Sequence, residues 1–115
     1  VNVKGIDILV SKVESDNVNQ LRNIGDTMKD KMDGVIFLAS IHGDKLSFIC
    51  NASQNAVDNG IHAGNIVKAA AVIAGGGGGG RPDSAQAGGK NVGEIDRALE
   101  KAGEMIDEVL SRIEE

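Results

Sequence analysis

The sequence predicts a single small α/β domain, with a mixed sheet of three to four strands and about three helices in the order β-α-β-β-α-α. Three observations support this prediction. The chain has 115 residues, of which 41% are hydrophobic and 25% charged, as in an ordinary one-domain globular protein. Short apolar runs typical of strands alternate with longer apolar stripes typical of helices. With two Phe, no Tyr and no Trp, the core has to be aliphatic.

The first half of the chain reads as a strand, a helix and a two-stranded hairpin. Ile6, Ile8 and Val10 alternate with polar neighbours while Leu9 adds an apolar residue between them, which predicts a half-buried or fully buried strand. Residues 15–17 (Ser-Asp-Asn) supply N-cap candidates for the next helix. That helix carries an apolar stripe at spacings of three and four: Val18, Leu21, Ile24, Met28 and Met32. The run "VIFLAS" is typical of a central strand, and Gly43-Asp44 turns the chain into "LSFICNAS". A right-handed crossover joins the first two strands, so the sheet is mixed.

The second half predicts two further helices. The apolar side of the first of them consists of Ile66, Val67, Ala70 and Ile73, and the following glycines end it at about 1 kcal/mol each in lost helix propensity. From Gly93 onward an acidic helix carries the stripe Ile95, Leu99, Ala102, Ile106, Val109, Leu110 and Ile113. No internal repeat and no second core are evident, so one domain is expected.

The charge distribution separates two regions of the chain. The net charge is −5, and residues 94–115 carry three basic residues against eight carboxylates. Residues 61–93 carry three basic residues against Asp83 alone, so the glycine-rich region is mildly basic. This permits an anionic ligand there without requiring one.

Several classes of protein are disfavoured. No apolar run approaches the ~20 residues that span a bilayer. The N-terminal segment is too charged for a secretory signal and lacks an initiator Met, which indicates an excised fragment. The single Cys50 cannot form an internal disulfide, which suits a reducing, cytoplasmic location.

The stretch "AAAVIAGGGGGGRPDSAQAGGK" is the most unusual part of the sequence. A dinucleotide fingerprint has to follow a strand and open a helix, whereas this run follows a helix. A Walker loop requires Gly-Lys-Ser/Thr, but Gly89-Lys90 is followed by Asn91. A bound anion is expected nearer Gly88, Gly89 and Lys90, at the N-terminus of the last helix, with assistance from Arg81.

Two interpretations of the glycines remain open: a flexible linker, or an ordered loop over residues 75–91 that lets a partner approach bare backbone. The flanking helices are predicted to share one core, which favours the ordered loop. Pro82 restricts the chain there, and Gln86 offers donors and an acceptor to a base edge or a ribose hydroxyl. Such a surface suits folded RNA, because Phe37 and Phe48 are both predicted to be core and leave no aromatic stacking platform.

The segment "GGGGGGRPDSAQAGGK" resembles the signature of the DHH-associated domain found at the C-terminus of alanyl-tRNA synthetases. That signature runs Gly-Gly-x-Gly-Gly-Gly-Arg-Pro, two variable residues, then Ala-Gln-Ala-Gly-Gly. Gly75 through Gly89 fit it, with Gly77 at the variable place. The order of elements is also similar, so the resemblance covers nearly all of the chain.

The resemblance implies a non-catalytic module that binds the outer corner of tRNA, specific for alanine tRNA, alongside the other domains of a parent alanine–tRNA ligase. The parent would alanylate tRNA and edit mischarged tRNA in the cytoplasm, using ATP, Mg and Zn, whereas no cofactor is expected in this fragment. Dimerisation through regions outside this chain stays open. Two alternatives are a nucleic-acid or nucleotide substrate-binding domain of a DHH phosphoesterase, and a structural dimerisation module.

The predicted RNA-binding residues are the glycines and polar residues of this segment together with one lysine of the preceding helix: Lys68, Gly77, Gly78, Gly79, Gly80, Arg81, Gln86, Gly88, Gly89 and Lys90. Arg81 could instead pair with Asp83 or Asp96, and Gln86 could cap the loop internally.

No catalytic or metal site is predicted, because His42, His62 and Cys50 lack the spacing of a closed zinc site. His42 is expected in an exposed hairpin turn and His62 on the surface, while Cys50 is expected to be buried in its strand. The adjacent Asp107 and Glu108 are expected on a solvated helix face.

Overall fold

A computed structural model describes residues 2–3 and 5–112. The strands are β1 (Asn2–Val3), β2 (Ile6–Lys12), β3 (Gly34–His42), β4 (Lys45–Ala52), β5 (Gly77–Gly80) and β6 (Ser84–Gly89). The helices are α1 (Val18–Lys29), α2 (Gln54–Asp58), α3 (Ala63–Ile73) and α4 (Ile95–Ser111), the last preceded by a 3-10 turn at Val92–Glu94. The predicted α/β class is confirmed. Ile113, the end of the predicted stripe, lies outside the described residues.

The strands form one mixed sheet in the order β1-β2-β3-β4-β6-β5. Strands β2 and β3 are parallel and joined through α1, and the other neighbours are antiparallel. The sheet therefore has six strands, two or three more than the sequence indicates. One is the two-residue β1, and β5 and β6 come from the segment expected to be a loop at residues 75–91. Glycine has low strand propensity, so the pairing of β5 with β6, and of β6 with β4, determines this structure rather than local preference.

Helix α1 covers one face of the sheet at β3 and β4. Asn17 caps it, since its side chain accepts a hydrogen bond from the Gln20 N–H at 2.9 Å. The predicted stripe supplies Leu21, which is fully buried against Ile36, Leu38 and Ile49. Gly25 is also buried, and it lets the helix approach β4 closely.

Helices α3 and α4 cover the opposite face. Val67, Ala70 and Ala71 of α3 and Ala98, Ala102 and Ile106 of α4 are fully buried there. Phe37 and Phe48 are both buried in this core, as the sequence predicted, and the structure shows them stacked with ring centroids 5.7 Å apart. The glycines end α3 after Ile73, also as predicted.

The two layers differ in how far they extend across the sheet. Helix α3 packs on β4, β5 and β6, whereas the main contacts of α1 with the sheet are with β3 and β4. The α1 side of β5 and β6 is therefore left open. None of the described helices is both long and apolar enough to cross a membrane.

Candidate functional site

The hairpin of β5 and β6 presents a surface almost without side chains. Gly77 pairs with Gly88, and Gly79 pairs with Gln86. Gln86 lies opposite Ile49, whose side chain packs under α1, so these positions face the α1 side of the sheet. We call Gly77, Gly79, Gln86 and Gly88 the open glycine face.

The glycines of this hairpin fall into two groups. A Cβ at Gly78 would lie 2.5 Å from the Cα of Ala87, and one at Gly80 would lie 2.8 Å from the Cβ of Ala85. These two positions need glycine for packing. A Cβ at Gly77 or Gly79 would meet no atom within 4 Å. The space above Gly77 and Gly79 is therefore open, and at Gly79 the φ of 158° separately favours glycine.

The tip of the hairpin is bonded to the start of α3. The Arg81 N–H donates to the Ser84 carbonyl at 3.0 Å and closes a two-residue tip. The N–H of Ala63 donates to the Pro82 carbonyl at 2.8 Å, and the N–H of Gly64 donates to the Arg81 carbonyl at 3.2 Å. The first amides of α3, which have no partner within the helix, are thus satisfied by the tip.

The base of the hairpin is bonded to the end of α3. The Gly76 N–H donates to the Ala71 carbonyl at 2.8 Å, and the N–H groups of Lys90 and Asn91 both donate to the Ala74 carbonyl at 2.9 Å. Because both ends are fixed to one helix, the glycine segment is built as a structural element and not as a linker.

At the tip end, a groove of about 210 Å³ separates α1 from the hairpin. We call it the Asn51 groove; its lining residues are Arg22, Asp26, Ile49, Asn51, Gly79, Gly80, Arg81, Ser84, Ala85 and Gln86. Arg81 Nε lies 3.4 Å from Asp83 Oδ1, with 77% of the arginine side chain exposed. The expected pairing with Asp83 is therefore present, and an ion pair this exposed contributes little stability.

At the base end, Lys45 and Lys90 border a second groove that reaches the N-terminus of α1 at Asn17. From the level of Ser84 to Lys90 the chain advances about 20 Å, at ~3.3 Å per residue. The expectation that Arg81 assists an anion at Gly88, Gly89 and Lys90 is therefore wrong, because Arg81 stands at the other end of the strand. The face has two separate cationic ends.

The last helix is a poor anion site at its N-terminus. It begins after Asn91, as expected, but Glu94 and Asp96 occupy its first residues. These carboxylates oppose a second negative charge at the helix end.

Lys68 is separated from the other predicted site residues. It lies on α3, in a groove between α3 and α4 that Val72, Lys101 and Met105 also line. This groove is on the opposite side of the sheet from the open glycine face.

The two histidines have structural contacts. His62 Nδ1 accepts a hydrogen bond from the Asn65 N–H at 3.1 Å and caps α3. His42 lies in β3 and not in the turn; it is half-buried, with Nδ1 3.1 Å from the Ser15 carbonyl. The expectation of an exposed turn histidine is therefore wrong, because β3 extends through residue 42.

The remaining titratable candidates are accounted for by packing and by the surface. Cys50 is fully buried, as predicted, and burial raises the pKa of its thiol to about 12. Glu108 pairs with Arg112 at 2.8 Å on an exposed face of α4. Among the described residues, no three His, Cys, Asp or Glu side chains converge as a metal site would require.

Sequence reasoning missed six of the ten residues that line the Asn51 groove, among them Arg22, Asp26 and Asn51. Asn51 is only 6% exposed and lies in β4 between the buried residues Cys50 and Ala52. An asparagine in such a run is a signal, but its position in a groove depends on the register of β4 with β6. Arg22 and Asp26 lie four residues apart on α1, a spacing that predicts only a shared exposed face.

The DHHA1 domain family matches residues 5–108. The chain is 51% identical over 108 residues to alanine–tRNA ligase 1 of Lachnoclostridium phytofermentans and 50% identical over 105 residues to the alanine–tRNA ligase of Alkaliphilus oremlandii. These matches cover 93% and 90% of this chain but 12% of each relative. The crystal structure of the C-Ala domain from Aquifex aeolicus alanyl-tRNA synthetase superposes with a TM-score of 0.78, at 30% identity and 96% coverage of both chains.

Proposed function

This chain belongs to the DHHA1 domain family, and on that premise we propose that it is a non-catalytic tRNA-binding module of an alanine–tRNA ligase. Both named curated relatives are alanine–tRNA ligases, which favours this function over the phosphoesterase alternative. The observation that carries the proposal is the open glycine face, where Gly77 is exposed, Gly79 is half-buried, and no described residue lies within 4 Å of a Cβ built at either position.

The edge of β5 supports contact with ribose and phosphate oxygens. Arg81 and Ser84 form a hydrogen-bonded pair, so alternation along the antiparallel ladder turns the N–H and C=O groups of Gly78 and Gly80 away from β6. The Gly80 carbonyl lies against Gly64 of α3, which leaves Gly78 to present edge groups to a ligand. A ribose 2′-hydroxyl is both donor and acceptor and distinguishes RNA from DNA. Bare glycine backbone lets such a group approach without a side chain between.

Basic side chains border this face at both ends, with acidic residues beside them: Asp26 in the Asn51 groove, Asp83 paired with Arg81, and Asp16 in the base groove. Arg22 and Arg81 lie at the tip end, and Lys45 and Lys90 lie at the base end. The acidic residues of α4 lie in the opposite layer of the domain. Phosphates at the two cationic ends would position the RNA, and the glycines between them would accommodate its shape.

The finer assignment rests on the family. We propose that the outer corner of alanine tRNA is the RNA shape that lies on this face, and that the contact supports both alanylation and editing by the parent ligase in the cytoplasm. The other domains of the parent, which make up most of the length of the relatives, carry the chemistry in this proposal.

The test replaces Gly77 by Ala. A Cβ there meets nothing in the chain, and the φ of Gly77 is not positive, so the variant should fold as the wild type does. Against bound RNA the added methyl stands in the contact, and we expect Kd for folded tRNA to rise about tenfold, a loss of ~1.4 kcal/mol, by fluorescence anisotropy. Gly103→Ala on α4 is the matched control, since it also meets no atom within 4 Å. Equal affinities of the two variants would refute the proposal.

A further inference from the structure

Asn51 is a buried side chain whose polar group is not used by the fold. Asn51 and Ser40 are the buried polar residues among those the structure describes. Ser40 Oγ accepts a hydrogen bond from Ser15 Oγ at 2.8 Å. The carboxamide of Asn51 has no hydrogen-bond partner in the described part of the chain, and it lines the Asn51 groove. Among the described residues, the fully buried polar side-chain atom without a partner is His42 Nε2, so the amide atoms of Asn51 are open to the groove. A carboxamide held there without a partner from the described chain is available to a group from outside.

The surroundings of Asn51 hold its carboxamide in place. It projects from β4 toward α1, and Gly25 of α1 lies directly over it: a Cβ at Gly25 would be 2.9 Å from Asn51 Nδ2. The buried side chain of Ile49 gives the groove an apolar part beside this amide. On the walls stand Arg22 and Asp26 of α1 and Gln86 of β6, all exposed.

The size and chemistry of the groove fit a flat heterocycle. Its volume of about 210 Å³ is below the ~300–1,000 Å³ of pockets for drug-sized ligands, so it suits a single ring system. A carboxamide presents a donor and an acceptor side by side, which match the adjacent acceptor and donor of a base edge, as in the pairing of Asn with adenine. A guanidinium such as that of Arg22 can stack on a base.

We propose that the Asn51 groove binds one unpaired nucleobase, with Asn51 as the residue that reads the base edge. The proposal rests on the proposed function, because Gly79 and Gln86 belong both to the groove and to the open glycine face. A nucleotide whose ribose lies on that face reaches the groove with its base, and its phosphate lies near Arg81. The same base chemistry is found in an RNA loop and in a free nucleotide.

The experiment uses ¹H–¹⁵N NMR on the complete chain, with the side-chain amide signal of Asn51 as the readout. AMP, GMP, CMP and UMP are titrated separately, with ribose 5-phosphate as the control that lacks a base, and folded tRNA in a further arm. We expect shifts of the Asn51 amide and of Gln86 with at least one nucleotide or with tRNA, and none with ribose 5-phosphate. A response to nucleotides alone assigns the groove to a free nucleotide, and a response to tRNA assigns it to RNA. Silence of the Asn51 amide in every arm, or an equal response to ribose 5-phosphate, overturns the proposal.

Two variants separate this inference from the proposed function. Asn51→Leu keeps the size of the side chain and removes both hydrogen-bonding groups; it should abolish the nucleotide shifts and raise Kd for tRNA about fivefold, without lowering the melting temperature. Gly77→Ala should weaken tRNA binding and leave the nucleotide shifts intact. If tRNA binding is unchanged in Asn51→Leu but lost in Gly77→Ala, the RNA arm of this inference fails while the proposed function stands.

Discussion

At the scale of single residues, Cys50 shows how burial controls chemistry. Cys50 lies in β4 and belongs to the buried core that β4 shares with α3. Burial raises the pKa of its thiol from 9.0 to about 12 because the thiolate would lose its hydration there. The thiol is therefore protonated at neutral pH and is not a nucleophile.

The Cys50 pKa also predicts how stability depends on pH. Unfolding exposes a thiol that ionises near pH 9, so between about pH 9 and 12 the unfolded state binds fewer protons than the folded state, and the stability present below pH 9 is lost as pH rises. We expect the free energy of unfolding to fall by about 1 kcal/mol per pH unit across this window. Urea unfolding at pH 8 to 11 measures it. Cys50→Ala should show a shallower decline, and identical slopes for the two proteins would contradict the assignment.

At the scale of the helices, replacing glycine by alanine should have opposite effects on stability at two positions. Gly103→Ala on α4 meets no neighbour and should raise the free energy of unfolding by up to about 1 kcal/mol through helix propensity. Gly25→Ala on α1 places a methyl against Ile49 Cδ1 and Asn51 Nδ2, and overpacking should lower that free energy by roughly 1–3 kcal/mol. Chemical denaturation of both variants measures the difference. Stabilisation by Gly25→Ala would show that α1 lies farther from β4 than described.

The elements also show what sequence reasoning can reach. Local signals predicted three features of the helices. The spacing of apolar residues predicted the stripe on α1 and the helix α4, and the glycine run predicted the end of α3. Strand β5 was not predictable, since four glycines carry no strand signal and its pairing depends on β6 and α3. The Asn51 groove could not be predicted for the same reason. It depends on the register of β4 with β6, and on Gly25, which lets α1 lie close to β4.

At the scale of the whole molecule, basic residues lie on both sides of the sheet, and only some of them border the open glycine face. The four basic residues at the ends of the open glycine face are Arg22, Lys45, Arg81 and Lys90, whereas Lys68 lies in the other layer. Each phosphate contact releases counterions, so the association constant for tRNA should fall as the salt concentration rises. With about 0.7–0.9 per contact and four basic residues, a plot of its logarithm against the logarithm of the salt concentration should have a slope near −3.

Lys90 and Lys68 lie on opposite sides of the sheet, so their alanine variants form a matched pair. Lys90→Ala should lower tRNA affinity and reduce the salt slope by about 1, while Lys68→Ala should leave both unchanged. Both side chains are exposed, so neither change should alter folding. Anisotropy titrations at several salt concentrations give both quantities. A larger effect of Lys68→Ala would place the RNA on the α3 and α4 side.

Strand β5 ends the sheet without the lysine, proline or covering helix that usually prevents two proteins from joining edge to edge. Its protection lies in the main chain, since Gly78 and Gly79 have φ values of 154° and 158°, which ordinary L-residues rarely adopt. The strand also has only four residues, so a neighbouring copy could pair with it over a short ladder at most. The exposed edge is thus poorly suited to fibril growth, and it can remain uncovered at high protein concentration.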